Sequence, residues 1–481
     1  MSSNRKIITI FNIMIGKKFS LRHIYGLLIL ISDLKNSFSD IAKDEFVVEV
    51  FGLGYVGFPL LCKLAKSVLY VIGIDKDVNK LDRYNKGEFL DSEKYFSLEF
   101  TELIKSGRIK ISESSITSEK PKIAIICVPT PIPTSLMSSD IFVNDAVNSF
   151  LQNAKKGDII ILESSIEIGT TEKIRKTIES KGYTVGKDFG LAFCPERIDP
   201  QNKKWNLENI PRIIYCSDDT TYHICQEIYR HVNNTNLIRV SEPKVAEVVK
   251  SFENAFRLVN ISLVNELAVL CDKLGINVKE VIDAAATKPF GFMPFYPGAG
   301  AGGHCIPKDP RFLLESSKKF GIEFKTLQDA LDVNSYMPEY IAETIVSITK
   351  EKGFPKSVLV CGLAYKPDIE DMRDSPGFKI VKEIAKKGLQ VTAYDPYYKQ
   401  ELQQKYMAEN HMDANTKFDV FSKLQDKVGG FGCICIVQHH TKTEYELREI
   451  YRRSLVPFIY DCQDKIDYLP ESKTLLKKLG S

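Results

Sequence analysis

Val47-Val48-Glu49-Val50-Phe51-Gly52-Leu53-Gly54-Tyr55-Val56-Gly57 is the stretch whose reading decides the fold. Its first five residues are mostly β-branched or apolar and predict a strand. Gly52-x-Gly54-x-x-Gly57 follows directly, and a helical pattern runs from Pro59 to Lys66. A second strand, Tyr70 to Ile74, ends at Asp75, 18 residues after Gly57. Strand, glycine turn, helix, strand and acid, in that order, form a dinucleotide-binding βαβ unit. The first glycine permits the tight turn, the second lets a pyrophosphate approach the backbone, and the third allows close helix packing. The helix N-terminus faces the phosphate. Asp75 is placed for the adenosine ribose hydroxyls, and its charge favours NAD over a 2′-phosphorylated cofactor.

The same alternation continues outward. Strands are expected at Lys122 to Val128, Asp158 to Leu162 and Gly190 to Phe193, ending at Pro129-Thr130, Glu163-Ser164-Ser165 and Cys194-Pro195-Glu196-Arg197. Functional residues belong at such carboxyl ends. From Lys244 to about Ala286 the pattern turns helical, with Val245, Val248, Val249, Phe252, Phe256, Leu263, Leu267 and Leu270 at helical spacing. A Gly/Pro-rich loop, 294–310, contains Cys305, and a further helical stretch runs to about Lys350. Near Ser357 a smaller α/β unit begins, with strands at Val358 to Cys361, Gln390 to Tyr394, Gly432 to Val437 and Pro457 to Asp461.

The fold class expected is α/β, with two Rossmann-like doubly wound domains joined by a long central helix and a helical middle domain. The expected boundaries are 1–45 for an N-terminal extension, 46–240 for NAD binding, 241–350 for the helical domain carrying the cysteine loop, and 351–481 for the last α/β domain. Glu49 is unusual inside a buried strand and predicts a place at its edge. Lys473, Lys477 and Lys478 predict a solvated terminal helix.

With 65 basic and 62 acidic residues the net charge is +3, too balanced for a nucleic-acid binder. The first 45 residues include Arg5, Lys6, Lys17, Lys18, Arg22 and the apolar run Ile24 to Ile31. That run is well short of the roughly 20 residues needed to span a bilayer, and no clean cleavage site follows it. A poorly ordered extension with a short helix is expected there, without stable membrane insertion. None of the 11 cysteines forms a C-x-x-C pair, so neither a disulfide framework nor a metal site is expected. Free thiols of this kind point to a reducing cytoplasm. Cys305 stands apart, beside His304 and near Lys308 and Asp309. Neighbouring positive charge favours the nucleophilic thiolate, as would a helix starting near Pro307. Taken alone, it is equally readable as an inert loop thiol, and Lys250 as a solvated helix lysine.

Several motifs together settle those alternatives. Gly-Leu-Gly-Tyr-Val-Gly at 52–57, Val-Pro-Thr-Pro at 128–131, Glu-Ser-Ser-Ile-Glu-Ile-Gly-Thr at 163–170 and Cys-Pro-Glu-Arg at 194–197 occur in order. The pair Lys250 and Asn254 follows, then Gly-Gly-His-Cys-Ile-Pro-Lys-Asp-Pro at 302–310, Gly-Leu-Ala-Tyr-Lys-Pro-Asp at 362–368 and Asp-Met-Arg-Asp-Ser-Pro at 371–376. From about Phe46 to Asp461 the chain resembles the UDP-glucose/GDP-mannose dehydrogenase superfamily.

The resemblance implies an NAD enzyme that oxidises the C6 alcohol of a UDP-sugar to a carboxylate through a Cys305 thiohemiacetal and thioester. It implies catalytic roles for Cys305, Lys250, Asn254, Asp309, Glu196 and Ser165. Glu196 and Ser165 would hold a water, Lys250 and Asn254 would stabilise oxyanions, and Asp309 would orient or activate water. It implies NAD contacts from Gly52, Gly54, Tyr55, Val56, Gly57, Asp75, Thr130 and Arg373, and substrate contacts from Lys366, Gly302 and Tyr296. It also implies a homodimer built through the long helix.

The segment 288–298, Lys-Pro-Phe-Gly-Phe-Met-Pro-Phe-Tyr-Pro-Gly, resembles the branch acting on UDP-N-acetylhexosamines. UDP-N-acetylglucosamine is the first expectation, ahead of UDP-N-acetylmannosamine, UDP-N-acetylgalactosamine and UDP-glucose. The product would serve surface polysaccharide or glycan synthesis. Ser165 stands where threonine is common, Gln201 where many relatives have glycine, and Ile213-Ile214-Tyr215-Cys216 replaces a more glycine-rich strand end. Two other readings compete. A simpler hydroxyacid-type NAD enzyme would need neither Cys305 nor the second α/β unit. A non-catalytic nucleotide-sugar sensor would be free to lose Cys305, Lys250 or Asp309, and all three are present.

Overall fold

In a computed structural model the structure describes residues 46–481 except 68–69, 90–92, 132–139, 199–201, 203, 304, 413–423 and 425–427. The expectations for residues 1–45 and for His304 lie outside the described residues. Two sheets organise the molecule. The first has eight strands in the order β3-β2-β1-β4-β5-β6-β7-β8. These are β1 Val47–Phe51, β2 Val71–Ile74, β3 Ile109–Ser112, β4 Lys122–Ile126, β5 Ile159–Leu162, β6 Gly190–Phe193, β7 Arg212–Cys216 and β8 Leu237–Arg239. The second has five parallel strands in the order β10-β9-β11-β12-β13. They are β9 Ser357–Cys361, β10 Gln390–Tyr394, β11 Cys433–Ile436, β12 Phe458–Asp461 and β13 Leu475–Lys478.

Every residue of β1, β4, β5 and β6 is buried, as expected when helices cover both faces of a parallel sheet. The order reverses between β1 and β4 and again between β9 and β11, which opens a crevice at the carboxyl ends of each sheet. The edge strands β3 and β8 had no clear signal in the sequence. One pairing breaks the parallel pattern: β7 runs antiparallel to β6, with Ala192 opposite Cys216 and Phe193 opposite Tyr215. An antiparallel strand starts where its neighbour ends. Continuing the register brings Arg212 opposite Glu196, at the crevice edge.

Three local expectations are corrected. Glu49 lies in a central strand and is fully buried. Its carboxylate accepts from Ser115 Oγ at 2.8 Å and Ile116 N at 2.9 Å, and Lys122 Nζ lies 3.8 Å away. Burial pushes the Glu49 carboxyl up and the Lys122 ammonium down. The long helix is not continuous to Ala286: it spans Pro243–Leu274 and stops at Gly275 (φ 68°). A second helix, Val278–Ala286, restarts after Asn277, whose side chain accepts from Lys279 N and Glu280 N. Lys477 and Lys478 lie on a strand, not a helix, and Lys473 precedes it. β13 pairs with β12, Lys477 Nζ meets Asp272 at 2.7 Å, and Lys478 pairs with Asp464.

The helix Pro243–Leu274 is long and apolar enough to cross a membrane by length and composition, yet here it packs against the helix Lys325–Lys352 in the middle of the molecule. Its inward face carries small or polar residues such as Ala246, Ser251, Asn254, Ala255, Ser262 and Ala268. Its large apolar stripe, including Phe252 and Leu263, faces outward.

Candidate active site

A cleft of about 710 Å3 lies between the carboxyl edges of the two sheets, with the helix Pro243–Leu274 forming one side. Its cofactor half is built on the turn after β1. Gly52 has φ 87°, and a Cβ there would sit 2.9 Å from the Cys127 carbonyl. A Cβ on Gly57 would lie 2.0 Å from the Gly52 carbonyl, so the helix Gly57–Lys66 packs on the turn only through glycine. At Gly54 nothing lies within 4 Å of the Cβ position, and the space opens into the cleft. An open glycine face at a helix N-terminus suits a pyrophosphate, so these residues fit NAD. Tyr55 and Val56 line the same wall.

Asp75 also lines the cleft. Its carboxylate accepts from Leu53 N at 2.9 Å and from Lys80 Nζ at 2.7 Å. Sequence reading singled out the acid but not Lys80, one helical turn further on. Arg373 reaches in from the second sheet's side. Asp371 holds its guanidinium through two bonds of 2.8 and 2.5 Å, and the cation lies 5.5 Å from the centre of the Tyr55 ring. The two halves of the molecule therefore meet at the glycine turn.

The chemical half centres on Cys305. It is the one exposed thiol among the chain's 11 cysteines. Its carbonyl accepts from Lys308 N at 3.3 Å and Asp309 N at 2.9 Å, so the cysteine sits on the turn that starts the helix Asp309–Lys319. The helix begins two residues later than Pro307, and still next to the cysteine. Asp309 is fully buried. Its Oδ2 accepts from Asn254 Nδ2 at 2.7 Å and from Ser165 Oγ at 3.4 Å. Lys250 stands one turn before Asn254 and lines the cleft with Cys305. Three separate elements thus converge on one carboxylate.

Lys308 has a different task from that of a nearby charge. It is buried, and its Nζ donates to the carbonyl of Thr130 at 2.9 Å and to Thr130 Oγ1 at 2.8 Å. It ties the cysteine loop to the end of β4. Burial pushes this ammonium down. Thr130 is itself buried and spends its hydroxyl on that bond.

Glu196 faces the cleft from the end of β6. Its Oε1 accepts from Arg197 N at 2.6 Å and Ile198 N at 2.7 Å, and its Oε2 from Arg212 at 2.5 Å. Arg212 was missed in the sequence. The available signal was a single arginine opening the apolar run Ile213-Ile214-Tyr215-Cys216, because a buried cation requires a carboxylate partner.

The substrate residues divide. Lys366 lines the cleft, and so does Gly302, where a Cβ would lie 2.7 Å from Pro376 and 2.8 Å from the Asp374 carbonyl. Tyr296 does not reach the cleft. It is exposed, and its hydroxyl donates to Asp283 at 2.7 Å.

Comparison with known proteins agrees with this arrangement. Models of the UDP-glucose/GDP-mannose dehydrogenase family match residues 46–233 (NAD binding domain), 244–336 (central domain) and 359–468 (UDP binding domain). The chain is 31% identical to a UDP-N-acetyl-D-mannosamine dehydrogenase of Methanococcus vannielii, over 90% of this chain and 94% of that protein. It is 32% identical to a UDP-N-acetyl-D-glucosamine 6-dehydrogenase of Salmonella typhi, over 74% of this chain and 83% of that one. A solved UDP-D-ManNAc dehydrogenase from Pyrococcus horikoshii superposes with a TM-score of 0.77 at 28% identity, over 90% and 99% of the two chains.

Proposed function

The chain belongs to the UDP-glucose/GDP-mannose dehydrogenase family and is an NAD-dependent UDP-sugar dehydrogenase; from that premise we propose that it oxidises the C6 alcohol of a UDP-N-acetylhexosamine to the carboxylate. One observation carries the chemistry: a lone exposed thiol, Cys305, stands beside a buried Asp309 that is shared by Asn254 and Ser165. A simple alcohol dehydrogenase has no use for that thiol.

NAD, when bound, accepts the hydride of each of the two oxidations. Glu196 and Ser165 hold the water that takes the alcohol proton. The Cys305 thiolate then adds to the C6 aldehyde, forming a C–S bond and an oxyanion, which Lys250 and Asn254 stabilise. Once that carbon is oxidised, the C–S bond is a thioester. Asp309 orients the water that attacks it, the C–S bond breaks, and the thiolate returns. Overall, one alcohol, two NAD and one water give one carboxylate, two NADH and three protons. Covalent capture keeps the aldehyde in the cleft between the two oxidations. Lys366 contacts the sugar nucleotide, and Arg373 contacts the NAD pyrophosphate.

For the sugar, UDP-N-acetylglucosamine and its 2-epimer UDP-N-acetylmannosamine are the two arms of the test. The segment 288–298 resembles the UDP-N-acetylhexosamine branch as a whole, and relatives of both specificities occur among the similar proteins. The decisive measurement is NADH released per sugar from a panel of UDP-hexoses and UDP-N-acetylhexosamines. Two NADH from one acetamido sugar, abolished in Cys305→Ala, is the expected result. One NADH, or turnover that survives without Cys305, overturns the thioester route.

We also propose a homodimer seated on the outward stripe of the helix Pro243–Leu274. Val245, Val248, Phe252, Phe256, Leu263 and Leu270 are all exposed there, and a continuous apolar face of this length is what a second copy would cover. Light scattering of Phe252→Glu/Leu263→Glu should report a monomer where the parent is a dimer.

A further inference from the structure

Behind Glu196 lies a buried charged assembly that no step above uses. Arg212, 1% exposed at its side chain, stands between two carboxylates. One terminal nitrogen donates to Glu163 Oε1 at 3.0 Å and the other to Glu196 Oε2 at 2.5 Å. Tyr229 closes the far side. Its hydroxyl donates to Glu163 Oε1 at 2.5 Å, and its ring centre lies 4.8 Å from the guanidinium carbon. The members come from four elements: β5, β6, β7 and the helix Asp219–Arg230.

Burying such a group is expensive. A guanidinium and a carboxylate each lose several kcal/mol of hydration when taken out of water. Apolar side chains would fill the same space more stably, so stability alone does not account for the assembly. Its asymmetry points to its use. Both residues line the cleft, but the Glu163 side chain is fully enclosed, whereas the Glu196 side chain keeps 10% exposure. Glu196 is also held at its other oxygen by two backbone amides. Three hydrogen bonds, one of them from a cation, thus converge on the carboxylate that keeps some exposure.

We propose that Arg212 is a positioning residue for the oxidation: it holds the Glu196 carboxylate fixed toward the cleft, while Glu163 and Tyr229 lock Arg212 from behind. The idea rests on the reading of Glu196 as a water-holding group. The antiparallel β7 explains how it arises, because only an antiparallel strand beginning at the crevice edge delivers its first side chain there. Planar geometry matters too. A guanidinium offers a separate nitrogen to each carboxylate in one rigid plane, whereas an ammonium is a single point donor.

The titratable groups facing Glu196 and its partners are Glu163 just after β5, Cys194 after β6, Arg212 on β7, Tyr229 on its helix and Cys127 after β4. Beside them, Arg197 is paired with Glu253 of the long helix at 2.5 Å. Arg212 is the one cation that hydrogen-bonds Glu196 among the described residues. Removing it takes the side-chain partner from Glu196 Oε2 and leaves that carboxylate oxygen unanchored.

The test compares Arg212→Gln, Arg212→Lys and Glu196→Gln in the intact enzyme, following NADH formation, with NAD binding and thermal unfolding as fold checks. Arg212→Gln should lower kcat about a hundredfold with the KM for NAD within about twofold, as expected when a preorganising group is lost. Arg212→Lys should recover part of that loss and leave kcat about tenfold down. If Arg212→Gln does not fold, Arg212→Lys carries the test, and wild-type kcat in that variant overturns the proposal. If Glu196→Gln is inactive while Arg212→Gln keeps wild-type kcat, the positioning role alone falls. If Glu196→Gln keeps full turnover, the water-holding reading falls, and this one with it.

Discussion

The molecule contains the same backbone device twice and uses it differently. After β1 the chain turns on Gly52-Leu53-Gly54, and after β9 on Gly362-Leu363-Ala364. Each first glycine has positive φ, 87° and 91°, and in each a Cβ would strike backbone of a neighbouring chain segment, Cys127 at 2.9 Å and Gln438 at 2.4 Å. In each, an acid just past the next strand accepts from the turn's amides. Asp75 takes Leu53 N at 2.9 Å, and Asp395 takes Leu363 N at 2.7 Å and Ala364 N at 2.8 Å. Each following helix brings a glycine onto the first glycine's carbonyl, Gly57 onto Gly52 and Gly377 onto Gly362.

The difference lies between turn and helix. In the first copy the helix begins at once, and Gly54 leaves open space for phosphate. In the second, Ala364 is buried and His440 locks Asp395 at 3.0 Å, so the turn itself is closed. Residues 365–375 are inserted before the helix Pro376–Lys386, and they carry Lys366, Asp371 and Arg373 into the cleft. One copy binds through its backbone; the other supplies side chains to its twin.

Four variants and one control can break or sharpen that contrast. Gly57→Val should have the largest effect, since backbone stands 2.0 Å from the new Cβ. A loss of at least about 3–5 kcal/mol is expected from such overpacking at a packed glycine, read as a collapse of the denaturant midpoint. Asp395→Asn should cost about 2–4 kcal/mol, because a buried charge accepting from two amides and His440 is lost, while NAD affinity of the remaining folded enzyme stays unchanged. Gly54→Ala should unfold within about 1 °C of the parent, since its Cβ position is empty, yet bind NAD about tenfold more weakly by calorimetry. Ala364→Gly is its control and should leave NAD binding as it was. Arg373→Ala should raise the KM for NAD about tenfold, one charged hydrogen bond's worth, with a smaller change in kcat. Equal effects of Gly54→Ala and Ala364→Gly on NAD binding would erase the proposed division of labour.

The first copy was plain in the sequence because its signals are local: four β-formers, three glycines and one acid within 30 residues. The duplication was not, because the insertion at 365–375 hides the glycine spacing. Cys305, Asn254, Asp309 and Ser165 could be named by motif, and the structure brings them to one place. Arg212, Lys80 and the Lys308–Thr130 tie could not, since each depends on which distant strand or loop lies opposite. Burial was the least legible property. Phe252 and Leu263 have the spacing of core residues and face outward, whereas Glu49 has the chemistry of a surface residue and is fully enclosed. Periodicity shows that a helix has two faces, and only the packing of its neighbours says which one is inside. Tyr296 failed for a related reason, as its hydroxyl is taken by Asp283 on the outer surface.

The distribution of sulfur has a practical side. With ten of 11 thiols buried or half-buried and one open to solvent, the folded protein should behave toward a mild alkylating reagent as if it contained a single cysteine. Prompt uptake of one equivalent of label would count competent subunits in a preparation. A trace of peroxide would silence the enzyme through that same atom, with the fold left standing.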